Sequence, residues 1–196
     1  MALTASTMMD LGTLAPAFAL PDVCTGKTIS PARSGKPLLV MFICTHCPYV
    51  IHVRQELARI GKDYAGKVDI IAISANDAEK YPADSPANLK KMAEELGFTF
   101  PLCFDETQSV AKQYTAACTP DLFLFDAEHR LAYRGQIDGS RPGNQIPVDG
   151  RDLRAAMDAL LAGQQPSATQ IPSIGCNIKW KAGQESVYFA SALVKK

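Results

Sequence analysis

Residues 38–43 read Leu-Leu-Val-Met-Phe-Ile, an unbroken apolar run that follows Pro37 and leads directly into Cys44-Thr45-His46-Cys47. A run so short and so continuous suits a central strand covered on both faces. Beyond the second cysteine, Val50, Val53, Leu57 and Ile60 recur at steps of three, four and three. Arg54, Gln55, Glu56 and Arg59 lie between them, and this spacing predicts an amphipathic helix. A buried strand therefore runs into a helix, with two cysteines at the junction. Such a junction asks for an α/β fold in which helices cover a sheet.

The flanking sequence extends this pattern. Pro16, Pro21, Gly26, Pro31, Gly35 and Pro37 exclude a long helix from the first thirty-six residues, although Ala17 to Leu20 and Lys27 to Ser30 can form a short hairpin. Val68 to Ser74 predicts a second central strand, and residues 76–84 a polar loop. Ser85-Pro86 then places a capping serine before a proline at the first helical position, and Gly97 closes the helix that carries Leu89, Met92, Ala93 and Leu96. Phe98 to Phe104 suggests a strand. Thr107 is placed to cap a third helix with Val110, Ala111 and Tyr114, with Asp105 and Glu106 at its start. Asp121 to Phe125 and Arg130 to Arg134 suit a hairpin joined by residues 126–129. A Gly/Pro-rich loop at 135–150 precedes a last helix, which carries Leu153, Ala156, Met157, Leu160 and Leu161 and ends at Gly163. The order is β-α-β, an inserted α-β, then α-β-β-α, which predicts a mixed sheet with helices on both faces. Residues 1–163 are read as one domain. Residues 164–196, with the sole tryptophan Trp180, are read as an extension packed on it.

Composition narrows the function. The 196 residues are 47% hydrophobic, which excludes wholesale disorder. Twenty Lys and Arg balance twenty Asp and Glu, so there is no basic footprint for nucleic acid or an anionic membrane. No apolar run approaches the ~18 residues of a membrane span. The first twenty-two residues lack Lys and Arg and make a poor signal peptide, so a cytoplasmic location is expected. Six cysteines are far too few for a disulfide scaffold. In a reducing compartment they are reduced, catalytic or metal-bound.

Cys-x-x-Cys at a strand-to-helix junction reads as a dithiol redox site. Its spacing brings both sulfurs to the first helical turn, where free N–H groups and a partial positive charge favour thiolate over thiol. Cys44, expected at the exposed mouth of the turn, is the natural attacking thiolate. Cys47, deeper, is the resolving thiol, and a protonated His46 would add to the stabilisation. Two buried structural thiols are the bland alternative. A zinc site would have to recruit Cys118 or Cys176 with His46 or His52, because no second Cys-x-x-Cys is present. Pro120 opens the strand at 121–125, a position where either a trans or a cis bond is possible. Cys103 suits a core thiol, Cys118 should lie near the dithiol as a small packing residue or more, and Cys24 is assigned nothing. His52 is expected to be partly exposed. Arg134, Asp138 and Arg141 are read as a solvated charge cluster.

Several stretches resemble the thioredoxin superfamily, and within it the peroxiredoxin-like branch of alkyl hydroperoxide reductase/thiol-specific antioxidant and redoxin proteins. They are residues 15–22, FICTHCPYV at 42–50, 81–93, 104–114, ACTPDLFLFD at 117–126, 133–144 and PSIGCNIKWK at 172–181. The resemblance implies a thioredoxin-like fold with Cys44 and Cys47 as the bridge-forming pair. It also implies that Pro120 is the family's cis-proline, with Thr119 offering its backbone to an extended substrate segment. Two departures matter. Thr45-His46 fill the gap where thioredoxins carry a proline, and a histidine there resembles the more oxidising members. Cys44 stands where peroxiredoxins carry a threonine, and their arginine near the position of Pro120 is missing. The expected activity is therefore thiol–disulfide oxidoreduction, without a cofactor, on protein or small-molecule disulfides and dithiols, with a cellular reductant. Two alternatives stand beside it. One is a thiol peroxidase with Cys47 peroxidatic and Cys44 resolving; the other is a non-catalytic metal- or partner-binding module. The resemblance further implies that the segment around Cys176 packs back on the domain; Cys176 is read first as structural, and the sharper expectation is an auxiliary thiol that approaches Cys118 or the Cys44–Cys47 pair, with Cys118 a possible auxiliary thiol as well.

Overall fold

The computed structural model describes residues 3–188. Its strands are β1 (Leu3–Ala5), β2 (Leu20–Pro21), β3 (Thr28–Ile29), β4 (Leu38–Phe42), β5 (Asp69–Ser74), β6 (Leu102–Phe104), β7 (Cys118–Thr119), β8 (Asp121–Phe125), β9 (Leu131–Tyr133) and β10 (Ile174–Asn177). Its helices are α1 (Pro48–Asp63), α2 (Pro86–Leu96), α3 (Ser109–Gln113) and α4 (Arg151–Leu161). Five strands form the central sheet in the order β6-β5-β4-β8-β9. β4 runs parallel to β5 and antiparallel to β8, with Val40 opposite Ile71 on one side and Phe123 on the other. This is a thioredoxin-like mixed sheet with β2 and β3 as the N-terminal hairpin and α2-β6 as the insertion.

Alternation along β4 divides the core in two. Leu39, Met41 and Ile43 face α1, α2 and α4, whose Val50, Val53, Leu57, Leu89, Met92, Leu153 and Met157 cover that side. Leu38, Val40 and Phe42 face the other way, onto Val110, Ala111 and Tyr114 of the α3 region. Tyr114 packs against Phe42 and Phe123 with ring centroids 5.6 and 5.4 Å away, and its hydroxyl donates to the Pro16 carbonyl. Tilted and edge-on pairs of this kind add to the burial of the rings themselves.

The α2 caps follow the sequence: Ser85 Oγ accepts the Asn88 N–H, and Gly97 takes φ +62°. α3 does not start from Thr107. It begins at Ser109 after Gln108 in the left-handed conformation, and the carboxylate of buried Asp105 accepts the Ala111 N–H at 2.9 Å. The solvated cluster is also corrected. Arg134 is 0% exposed, lies 4.3 Å over the Phe123 ring and bonds Thr115 and Asp121. Asp138 is buried too and accepts the N–H groups of Ser140, Asp149 and Gly150, which ties the 135–150 loop to the start of α4. A long loop can hide such groups because its own backbone supplies the hydrogen bonds.

The chain ends meet in a second sheet, of order β1-β10-β7, all antiparallel. After β10 the chain crosses the second core face, where Ile178 and Trp180 are buried among the residues around Tyr114. Side chains fix its path. Asn76 Oδ1 accepts the Lys179 N–H at 2.8 Å, while the Gln108 amide donates to the Lys179 carbonyl and accepts the Lys181 N–H. Residues 189–196 lie outside the described residues. Among those described, no helix is long and apolar enough to cross a membrane.

Candidate active site

β4 delivers Cys44 at its end, and Cys47 is the N-cap residue of α1 with Pro48 at the first helical position. Both sulfurs are enclosed: Cys44 is 1% exposed and Cys47 0%. The exposed mouth expected for Cys44 is therefore not seen, because the 82–84 turn and the Thr119-Pro120 segment close over the junction. The Thr119-Pro120 bond is cis. Cys44 Sγ lies 3.4 Å from the Thr119 hydroxyl, and the Cys47 thiol, when protonated, donates to the Thr119 carbonyl at 3.1 Å.

Cys176 completes the arrangement. It sits in β10 directly opposite Thr119, 5% exposed, in the same apolar cluster as Cys44 and Cys47. Hydrogen bonds from Cys176 and then Cys44, aided by Thr119 and the Val50 N–H, hold the Cys47 thiol far down, at about 2, against the opposing effect of burial. Cys44 moves the other way, well above the ordinary thiol range, through its hydrogen bond to Cys47, its burial and the nearby charge of Asp84. Cys176 is raised for similar reasons, its bond to Cys47 first. Of the three thiols, Cys47 is thus the one whose ionised form the site favours. This departs from the expectation that Cys44 carries the thiolate. Cys47 is favoured because it stands at the N-terminus of α1 with two other thiols beside it.

The backbone beside Thr119, which the resemblance assigns to a substrate strand, is occupied by the chain's own β10. Gly175 makes this possible, since a Cβ there would stand 2.0 Å from the Thr119 carbonyl oxygen. A cleft remains beside Pro120, lined by Tyr49, His52, Val53, Ser140, Arg141 and Ile174. His52, half-buried, bonds the Ser140 hydroxyl at 2.7 Å. Cys118 is fully buried, but its thiol faces the carbonyls of Pro120 and Ser173, and burial pushes it well up. Cys103 lies in the second core face, pushed up to about 12 by burial.

His46 turns toward Asp84, with Nδ1 2.7 Å from a carboxylate oxygen and its ring stacked on Tyr81. Asp84 is fully buried and also accepts the Thr45 N–H, the Thr45 hydroxyl and the Asn76 amide. Asp84 and Asn76 were not singled out in the sequence; their signal there is no more than a polar loop that follows a core strand. They link the cysteine loop to Lys179 in the C-terminal segment. Cys44, His46 and Asp84 place one potential ligand atom each within 4.8 Å of one another. Asp84 already accepts three hydrogen bonds there, and among the described residues no fourth His, Cys or carboxylate atom joins the group to complete a zinc site.

A family model described as the AhpC/TSA family matches residues 11–134. Among curated proteins, the chain is 25% identical over 115 residues to thioredoxin-like protein YneN of Bacillus subtilis, spanning 59% of this chain and 65% of that protein. It is 26% identical over 131 residues to thiol-disulfide oxidoreductase ResA of Geobacillus thermodenitrificans, spanning 65% of this chain and 70% of that one. A crystal structure of a conserved protein from Geobacillus kaustophilus is 52% identical, with TM-score 0.91 over 93% of this chain and 98% of that one. A thiol:disulfide interchange protein from Chlorobium tepidum shares the fold at 19% identity, with TM-score 0.60 over 78% of this chain and 99% of that one. The match to the family model covers the dithiol strand and helix, the insertion and the cis-proline hairpin, and the chain belongs to the AhpC/TSA family, with a thioredoxin-like fold.

Proposed function

We propose that the protein is a thiol–disulfide oxidoreductase that cycles Cys44 and Cys47 between dithiol and disulfide. One observation carries this reading: the two thiols are enclosed together at the start of α1 against the cis-proline segment, Cys44 Sγ 3.4 Å from the Thr119 hydroxyl and Cys47 Sγ 3.1 Å from its carbonyl. A stabilised thiolate is a good leaving group and favours the reduced form. The arrangement therefore suits a pair that accepts electrons. A substrate thiolate attacks Cys44 of the disulfide, and Cys47 leaves with the bonding electrons. A second substrate thiol then attacks the mixed disulfide at the substrate sulfur, which releases Cys44 as a thiol and the substrate as a disulfide. The substrate class is a protein or small-molecule dithiol or disulfide, in keeping with the name of the relative ResA, a thiol-disulfide oxidoreductase. The cleft at Pro120, with Tyr49, His52 and Arg141, is the proposed seat for it.

A thiol peroxidase is the second reading, favoured by the Cys47 thiolate at a helix N-terminus and by enclosure that suits a small oxidant. Against it, the groups that bond Cys47 are thiols, a threonine and a backbone N–H. Arg134 and Arg141 are engaged elsewhere, by Thr115 and Asp121 and by Gln136, Asp138 and Ser140. A peroxide transition state draws on preorganised donors and cationic groups. The test is oxidation of a dithiol peptide by the oxidised protein. Wild type should deliver one disulfide per molecule, and Cys47→Ser should reduce this to background. Undiminished oxidation by Cys47→Ser, or fast sulfenate formation at Cys47 by hydrogen peroxide in place of exchange, would sink the proposal.

A further inference from the structure

Three sulfurs, not two, are brought together. Cys47 shares one buried cluster with Cys44 of its own loop and Cys176 of β10, and both neighbours act to lower its pKa. The placement of Cys176 does not rest on its side chain alone. β10 is held between β1 and β7, and its register sets Cys176 opposite Thr119, whose carbonyl is the partner of the Cys47 thiol. Gly175 allows the two backbones to meet at a distance that no side chain would permit. The segment that follows is anchored by Asn76 and Gln108, and Asn76 also holds Asp84, which holds the cysteine loop. The strand position taken by β10 is the one an extended substrate would use in strand addition. Cys176 therefore meets the pair as the cysteine of a docked peptide would, supplied in this case by the same chain.

We propose that Cys176 is a third redox thiol, which takes over the disulfide from Cys44 so that Cys47 pairs with Cys44 or with Cys176. This rests on the Cys44–Cys47 reading above and adds a partner to it. In the exchange, Cys176 Sγ attacks Cys47 Sγ as the Cys44–Cys47 bond breaks. Cys44 leaves with the bonding electron pair and gains the proton that Cys176 gives up. The two disulfide forms are isomers, so no external oxidant or reductant is consumed. The second form frees Cys44 as a thiol and ties β10 covalently to the N-terminus of α1.

The experiment uses the full chain, oxidised with a slight excess of diamide, trapped by alkylation at low pH and mapped by mass spectrometry. Wild type and Cys44→Ser are compared, each checked for folding by near-ultraviolet circular dichroism. The expected result in Cys44→Ser is a Cys47–Cys176 linkage, with both thiols lost from alkylation. In wild type the same linkage is expected beside Cys44–Cys47, and it needs no substitution to be seen. If the Cys47–Cys176 linkage forms in neither protein while wild type still forms Cys44–Cys47, the third thiol is overturned and the dithiol reading stands. If wild type forms neither bond, the dithiol reading falls with it.

Discussion

Burial by itself penalises a thiolate, yet the thiol held down is Cys47, the fully enclosed sulfur. Two thiols, a hydroxyl and a helix N-terminal N–H outweigh the lost water. This has a consequence for stability. In the unfolded reduced chain Cys47 keeps its proton until the pH nears 9.0, whereas in the folded chain it has lost it down to about 2. Between those limits the unfolded chain binds one more proton, so raising the pH stabilises the reduced fold, by up to about 1.4 kcal/mol per unit. Cys44 and Cys176, raised in the fold, oppose this as the unfolded thiols ionise, near 9.0 and above. The oxidised pair has no thiol proton to titrate. The stability of the reduced protein relative to the oxidised should therefore grow from about pH 5 to about pH 8 in guanidinium unfolding. A gap that is flat or shrinks over that range contradicts a buried thiolate. The residues that set this charge were only half legible in the sequence. The cysteine pair announces itself by spacing, but the S–H donor from Cys176 comes from 129 positions further along, and no local pattern reports it.

Among the elements, β4 and α1 could be read directly, because continuous burial and a 3.6-residue period leave separate marks on sequence. β1, β7 and β10 could not. They have three, two and four residues, too few to show alternation, and their pairing is set by long-range contact. The same holds for Arg134: its charge suggested solvent, but the Thr115 carbonyl and Asp121 carboxylate that admit it to the core are placed by the fold. β10 deserves its own test, since it closes the second sheet and lies against the cis-proline segment. Gly175→Ala puts a methyl group 2.0 Å from the Thr119 carbonyl oxygen, a backbone atom that has no room to yield. β10 must then shift away from β7. A loss of roughly 1–3 kcal/mol is expected, in the range of overpacked cores. The thiolate absorbance near neutral pH should fall with it, because Cys176 moves away from Cys47. Unchanged stability and absorbance would show that β10 does not depend on this close approach.

At the scale of the whole molecule, the sheet separates two core faces that serve different ends. One carries α1, α2 and α4 and ends at the dithiol; the other is completed by the C-terminal segment through Ile178 and Trp180, the latter 7% exposed. The same segment thus finishes the core and brings Cys176 to the site, through the chain of contacts Lys179–Asn76–Asp84–Thr45. Fold class was legible in the order of the elements. The closure of the site was not, because it arises where the two chain ends meet. The most direct measurement is the redox equilibrium of the cysteines. The protein is brought to balance with glutathione buffers of graded potential, its free thiols are alkylated, and the bonds are mapped by mass spectrometry. A thiolate stabilised in the reduced form should give a reversible two-electron transition at Cys44 and Cys47, with a midpoint more oxidising than the about −270 mV of thioredoxin. Free, alkylatable Cys44 and Cys47 at every potential would contradict a redox role for the pair.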